Sequence, residues 1–268
     1  MDRWIRPKLI YYTYRMKIQY ISDIHLEHQT NDFSTFLEPV APYLALCGDI
    51  CIPELLKYKS FLEWCSFRWS KIFLITGNHE YYNRLVSTKH TMEEKNALIK
   101  SLVPPNVIFL DCESYWLEEE NIRILGCTLW SEIDDLLLNK MTDYMVGYQD
   151  LILLGKTTKD IHYNEKRWLR KELLKYPEEN CLVLTHYMPS FKLINPRYKL
   201  STNVSCFASN CEDLFTDNIV GWICGHSHHS ISMEIKKVPF RMNAWGYEHE
   251  AVDTRDRKAV LEIKPRTT

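Results

Sequence analysis

The sequence predicts an α/β protein in which sheets are layered together and flanked by helices. Two observations carry this. From residue 17 to residue 186, apolar runs of strand length alternate with stretches of helical period, the pattern of βαβ units. From residue 219 onward the helical period disappears and strand-like runs follow one another closely, as in hairpins. With 268 residues, 46% of them hydrophobic, the chain can bury a sizeable core. One domain over residues 16–268 is the simplest division, preceded by a basic, aromatic extension at 1–15.

Taken in order, strands are expected at 17–22, 43–47 and 71–76. A helix at about 54–70 separates the second and third, with Leu55, Tyr58, Leu62, Cys65 and Trp69 at helical spacing and Pro53 at its start. A polar helix at 90–102 is stopped by Pro104-Pro105. Strand-like runs follow at 106–110, 114–118 and 121–127, the last two joined by the acidic turn Glu118-Glu119-Glu120-Asn121. Residues 131–156 read as irregular or short helix, and a longer helix is expected at 158–175. The remaining strands are placed at 181–186, 219–224, 230–235, 239–244 and 258–264.

Composition removes several functions. A net charge of −2 gives no overall basic field for nucleic acid. No apolar run approaches the roughly 18 residues of a membrane helix. Nine cysteines, spread singly and several within apolar runs, read as reduced core thiols, which places the chain in the cytoplasm.

The chemistry lies where the apolar runs end. The first runs into Ser22-Asp23-Ile24-His25-Leu26-Glu27, the second into Gly48-Asp49, the third into Thr76-Gly77-Asn78-His79-Glu80. A later run ends in Thr185-His186 and the next in Gly225-His226-Ser227-His228. Asp23 and His25, two apart, would share one face of an extended segment, and so would His226 and His228. In open α/β sheets, the carboxyl ends of the strands are where ligands bind. The collected donors are Asp23, His25, Asp49, Asn78, His186, His226 and His228. They are too many for one tetrahedral zinc and suit two five- or six-coordinate ions bridged by a carboxylate. Nitrogen and oxygen donors without thiolate fit Mn2+, Fe or Zn2+. Two ions about 3.5–4 Å apart can activate water and clamp a phosphoryl group.

In this order, Asp-x-His, Gly-Asp, Gly-Asn-His-Glu, a lone His and Gly-His-x-His resemble the calcineurin-like metallophosphoesterases, from about residue 17 to residue 247. The resemblance implies a four-layer α/β/β/α sandwich. It assigns Asp23, His25, Asp49 and His228 to one ion and Asp49, Asn78, His186 and His226 to the other, with Mn2+ favoured. It makes His79 the residue that protonates the leaving oxygen or steadies the phosphoryl oxygens, with Glu80 in support. The implied reaction is direct hydrolysis by hydroxide held between the ions.

Asp49 is followed by Ile50-Cys51-Ile52-Pro53, without the arginine of the protein Ser/Thr phosphatases. Thr128-Leu129-Trp130, Cys206 to Asn210 and Asn243-Ala244-Trp245-Gly246-Tyr247 instead resemble a compact group of microbial and viral members. The leading expectation is therefore a phosphodiesterase acting on a nucleotide or other small phosphorylated substrate. A phosphomonoesterase and a nuclease are the alternatives, with a non-catalytic scaffold last. Candidate substrate contacts are His28, Tyr81 and Tyr82, and the loop residues Arg197, Tyr198 and Lys199. For the two tyrosines a packing role is an equal reading, as is a core role for Trp130. His90, His162 and His249 are expected at the surface.

Overall fold

The computed structural model describes residues 15–83, 90–140, 151–250 and 255–264. The expected extension at 1–15 lies outside these residues except for Arg15. All eleven expected strands form: β1 (Met16–Ile21), β2 (Tyr43–Cys47), β3 (Lys71–Ile75), β4 (Val107–Phe109), β5 (Glu113–Leu117), β6 (Ile122–Gly126), β7 (Asn180–Leu184), β8 (Ile219–Cys224), β9 (Ser230–Ile235), β10 (Val238–Asn243) and β11 (Val260–Ile263). The helices are α1 (Leu56–Ser66), α2 (Met92–Leu102) and α3 (Leu151–Lys175).

Two sheets result, with orders β11-β1-β2-β3-β4 and β5-β6-β7-β8-β10-β9. In the first, β1 to β4 run parallel and β11 closes one edge antiparallel to β1. In the second, β6, β7, β8 and β10 are parallel, with antiparallel β5 and β9 at the edges.

The alternation of side chains along each strand stacks the layers. In β2, Ala45 and Cys47 face β7 residues Leu182 and Leu184 in the core between the sheets. Leu44 and Leu46 turn the other way, onto Tyr58, Phe61, Leu62 and Cys65 of α1 and Ile99 of α2. Val183 and Trp222 of the second sheet pack on Leu169 and Leu173 of α3. The order is helix, sheet, sheet, helix. Burial on both faces is why β2, β3, β7 and β8 read as unbroken apolar runs.

Helix ends depart from expectation. Helix α1 starts at Leu56, beyond Pro53, and ends at Ser66. Trp69 is still core, because its indole N–H donates to Gln19 Oε1 at 3.2 Å. Helix α2 begins after Thr91, whose capping box with Glu94 fixes the start. Helix α3 starts seven residues earlier than expected, at Leu151 instead of 158. Residues 151–154 are a continuous apolar run, which carries no period to read.

Candidate metal centre

The carboxyl ends of β1, β2 and β3 in one sheet and of β7 and β8 in the other meet at one edge of the sandwich. The first sheet delivers Asp23, His25, Asp49, Asn78 and His79; the second delivers His186, His226 and His228. Asp23, His25 and His186 are fully buried, and Asp49 and Asn78 are 2% and 4% exposed.

Convergence does not come from strand alternation, as the two-residue spacing suggested. Asp23 (φ 55°), His25 (φ 51°), Asp49 (φ 54°), His226 (φ 74°) and His228 (φ 43°) all adopt left-handed backbone just past their strands. Such conformations cost on the order of 1–3 kcal/mol each and persist only where surrounding contacts enforce them. Here the Asp23 N–H donates to Gly48 O at 3.0 Å, His25 N–H to Asp49 O at 3.0 Å, and His226 N–H to the Asp23 carboxylate at 2.9 Å. At Gly77 a Cβ would collide with the Asp49 carboxylate and lie 2.7 Å from His186 Cε1, so only glycine fits.

The side chains form three overlapping groups that could hold ions, the third being His25, Glu27 and His79. Ligand atoms of Asp23, Asp49, His186 and His226 lie within 4.8 Å of one another, and so do those of Asp23, His25 and His228. Asp49 Oδ2 lies between the halves, 3.8 Å from His25 Nε2 and 3.4 Å from His186 Nε2. Asn78 Oδ1 is 3.2 Å from His186 Nε2.

The ring nitrogens behave as a ligand set requires. His186 Nδ1–H donates to Cys47 O at 2.9 Å, and His228 Nδ1–H to Glu250 Oε2 at 2.6 Å. His25 Nδ1 faces Glu27 Oε1 at 3.4 Å. Nδ1 so engaged aims Nε2 of each ring at the cluster. Burial opposes a charged ring at His186 and His228, yet Asp49 raises His186 to about 9 and Asp23 and Glu250 raise His228 to about 10, and a bound cation would replace those protons. His25 Nε2 and His228 Nε2 face each other at 3.1 Å. With His228 charged, its Nε2–H faces the His25 lone pair, and a bound cation would take that proton's place. Burial pushes the His226 pKa down to about 3, with His186 adding to it, so that ring stays neutral as a ligand must. Buried carboxylates, inward-aimed ring nitrogens and nitrogen and oxygen donors therefore fit divalent ions.

His79 stands beside this cluster. Its N–H donates to Asp49 Oδ1 at 2.8 Å, and its Nδ1 is 2.9 Å from Glu27 Oε1. Burial works against a charged His79 ring, but the Asp49 and Glu27 carboxylates more than offset it and raise the pKa. Burial likewise opposes ionised Glu27, yet its bonds to His25 and His79 hold it down at about 2. Glu80 supports the loop. Its carboxylate accepts from Gly77 N at 2.7 Å, Asp49 N at 2.9 Å and Ile50 N at 2.7 Å, tying the second and third strand ends together.

The centre opens into a cavity of about 820 Å3. Arg197 and Tyr198 line it, with Ile194, Val204 and Phe207 as apolar wall. Lys199 is exposed and outside that lining. His28 sits in a neighbouring pocket with Tyr247, Glu248 and His249. Tyr82 lines the cavity, but its hydroxyl accepts from Asn78 Nδ2 at 2.7 Å, which turns the amide oxygen toward His186.

Two open readings are decided and one expectation is corrected. Tyr81 is 2% exposed, bonded to Thr76 and Asn96, and packed with Trp130 and Tyr187, so it cannot stack on a substrate. Trp130 is likewise core. His162 is fully buried, its Nδ1 bonded to Trp130 O, and not at the surface.

Glu27, Tyr247 and Glu250 had no role assigned from sequence. Glu27 follows His25 at the same two-residue spacing that singled out Asp23, which was the available signal. Glu250 lies in no motif and offered none.

Comparison with known proteins agrees with this geometry. The calcineurin-like phosphoesterase family profile matches residues 16–230. An uncharacterised protein of Acanthamoeba polyphaga mimivirus, L509, is 28% identical over 260 residues, covering 87% of this chain and 92% of its own. Among solved structures, the phosphopantetheinyl hydrolase PptH of Mycobacterium tuberculosis superposes with a TM-score of 0.67 at 16% identity, covering 94% of this chain and 97% of its own. A dimetal phosphatase from Danio rerio gives 0.53 at 13% identity, over 94% and 99%. At these identities the two structures attest the fold.

Proposed function

Because the chain belongs to the calcineurin-like phosphoesterase family, we propose that it is a two-metal phosphodiesterase acting on a small phosphorylated substrate such as a nucleotide. The observation that carries this reading is the buried donor cluster at the foot of a cavity of about 820 Å3, larger than a phosphate alone requires. Asp23, His25, Asp49 and His228 would hold one ion, and Asp49, Asn78, His186 and His226 the other, with Asp49 shared. Mn2+ is the favoured metal, since the donors are nitrogen and oxygen only. When bound, the ions supply an activated water and charge stabilisation on the phosphoryl oxygens.

The chain's own residues do the rest. Asn78 is aimed by Tyr82. Against burial, Asp49 and Glu27 favour the charged His79 ring; Glu27 accepts its Nδ1–H, which leaves the second N–H, at Nε2, on the cavity side. As the water oxygen bonds to phosphorus and the ester bond breaks, His79 gives the proton at Nε2 to the leaving oxygen. The apolar wall of Ile194, Val204 and Phe207, with Arg197 and Tyr198, would receive the second ester arm. A cytoplasmic location is supported by nine free cysteines, seven of them buried. Among the described residues, no helix is long and apolar enough to cross a membrane.

The test is hydrolysis with Mn2+ of bis-p-nitrophenyl phosphate against p-nitrophenyl phosphate. The diester should have the higher kcat/KM. A preference for the monoester would make the protein a phosphatase, and cleavage of neither would remove the enzymatic reading.

A further inference from the structure

The mechanism above leaves unused the segment that follows β10. This segment crosses the rim of the centre and is tied to it. Trp245 N–H donates to Ser22 O at 3.0 Å and Gly246 N–H to Asp23 O at 2.9 Å. Arg255 donates to the carbonyls of Trp245 at 2.7 Å and Tyr247 at 2.6 Å, and Tyr247 N–H donates to Glu250 Oε2 at 2.8 Å. Tyr247 is thus held at its main chain from two sides.

Its ring is placed as firmly. It stacks on His25 with centroids 4.5 Å apart and planes at 30°, and meets His228 edge-on at 5.0 Å. The hydroxyl lies 3.3 Å from His79 Nε2. Glu27 accepts the Nδ1–H, so the charged ring that acts as the acid carries its second proton on Nε2 and donates it to the tyrosine oxygen. The same turn supplies Glu250 to His228 Nδ1. Tyr247 also lines the cavity.

We propose that Tyr247 is a positioning residue that acts through His79: its hydroxyl, opposite Glu27, fixes the imidazole so that Nε2 meets the leaving oxygen of the substrate. The proposal rests on the reading of His79 as the proton donor. His25 and Tyr82 pack on the ring, each with centroids 4.3 Å away, and Glu27 bonds it at Nδ1 only. Held at both nitrogens, it has one orientation, and the bond at Nε2 is exchanged for the leaving oxygen when substrate enters.

Tyr247→Phe keeps the stacking on His25 and removes only the hydroxyl. With Mn2+ bound, it should lower kcat on diphenyl phosphate about 10- to 100-fold, the usual cost of losing a supporting partner, with KM within about threefold. The loss on bis-p-nitrophenyl phosphate should be clearly smaller, because its leaving group needs less help from His79. Equal losses on both esters, a rise in KM alone, or rates within about twofold of wild type would each overturn the proposal. A second measurement does not need turnover. In the Zn2+-loaded protein, the 15N resonance of His79 Nε2 should move between wild type and Tyr247→Phe, and an unmoved resonance would overturn the proposal as well. Should wild type cleave neither ester while the resonance moves, the phosphodiesterase reading fails and the hold of Tyr247 on His79 stands.

Discussion

The floor of the site and its outer wall are built in opposite ways. The floor consists of residues at the ends of strands buried on both faces. Asp23, His25, Asp49, Asn78 and His186 are all at most 4% exposed, and each is fixed by at least one further hydrogen bond or packed ring. The wall, residues 194–207, is a chain of short 3-10 turns, with Tyr198 51% and Leu200 99% exposed. The floor cannot change without stranding a buried charge or lone pair. Arg197 to Leu200 can change at little cost to the fold, since these side chains bury little, whereas Ile194 belongs to the core. On the proposed function, reaction chemistry would reside in the rigid part and substrate choice in the part free to vary.

Four substitutions would break or sharpen that contrast. Asp49→Ala removes the carboxylate placed between both halves of the cluster. It should lower metal affinity by at least about 100-fold, the upper range for a supporting partner, and abolish hydrolysis, as read by elemental analysis and kinetics. Retention of both ions would break the account of the floor. His79→Ala should cut kcat by about 100- to 10,000-fold while the metal content stays at wild-type level. Loss of the ions with it would show that His79 belongs to the ligand set and not beside it.

Glu165 tests the rigidity of the floor from below. It is buried, accepts from Trp130 N at 2.8 Å, and supports the Thr128–Trp130 segment, whose Thr128 O receives the His186 N–H. Burial raises its pKa to about 8. A carboxyl with a raised folded-state pKa binds its proton more tightly in the native state, so its contribution to stability is full at acid pH and is lost between about pH 4.5 and 8. Thermal melts of wild type should show that decline, and Glu165→Gln should flatten it. An unchanged slope would mean that Glu165 does not titrate in this window. The smallest effect belongs to the wall. Arg197→Ala should alter KM a few-fold on a substrate that reaches it, leaving kcat and metal content unchanged.

The same contrast explains what the sequence disclosed. Leu44–Cys47 and Cys181–Leu184 are apolar at every position because both faces are covered, so the strands and the donors after them were readable. The donor types were legible for a chemical reason, since packing does not call for Asp49 or Asn78 at a strand end. Their approach was not, because it depends on left-handed backbone at Asp23, His25, Asp49, His226 and His228; Asp and His are enriched at positive φ, but the conformation is too uncommon for residue type to place it. Glu250 and Tyr247 reach the site from beyond β10 through contacts distant in sequence. Tyr81 and Tyr82 are adjacent and identical in type, yet one is core and the other aims Asn78; only the turn at His79–Tyr81 separates their roles.

The central claim is that the buried cluster is a two-ion centre whose carboxylate bridge is Asp49. Titration of the metal-free protein with Mn2+, followed by calorimetry and by hydrolysis of bis-p-nitrophenyl phosphate on the same samples, tests it directly. The account predicts two equivalents bound per chain, with activity appearing as the second site fills. Full activity with one equivalent or none would contradict it.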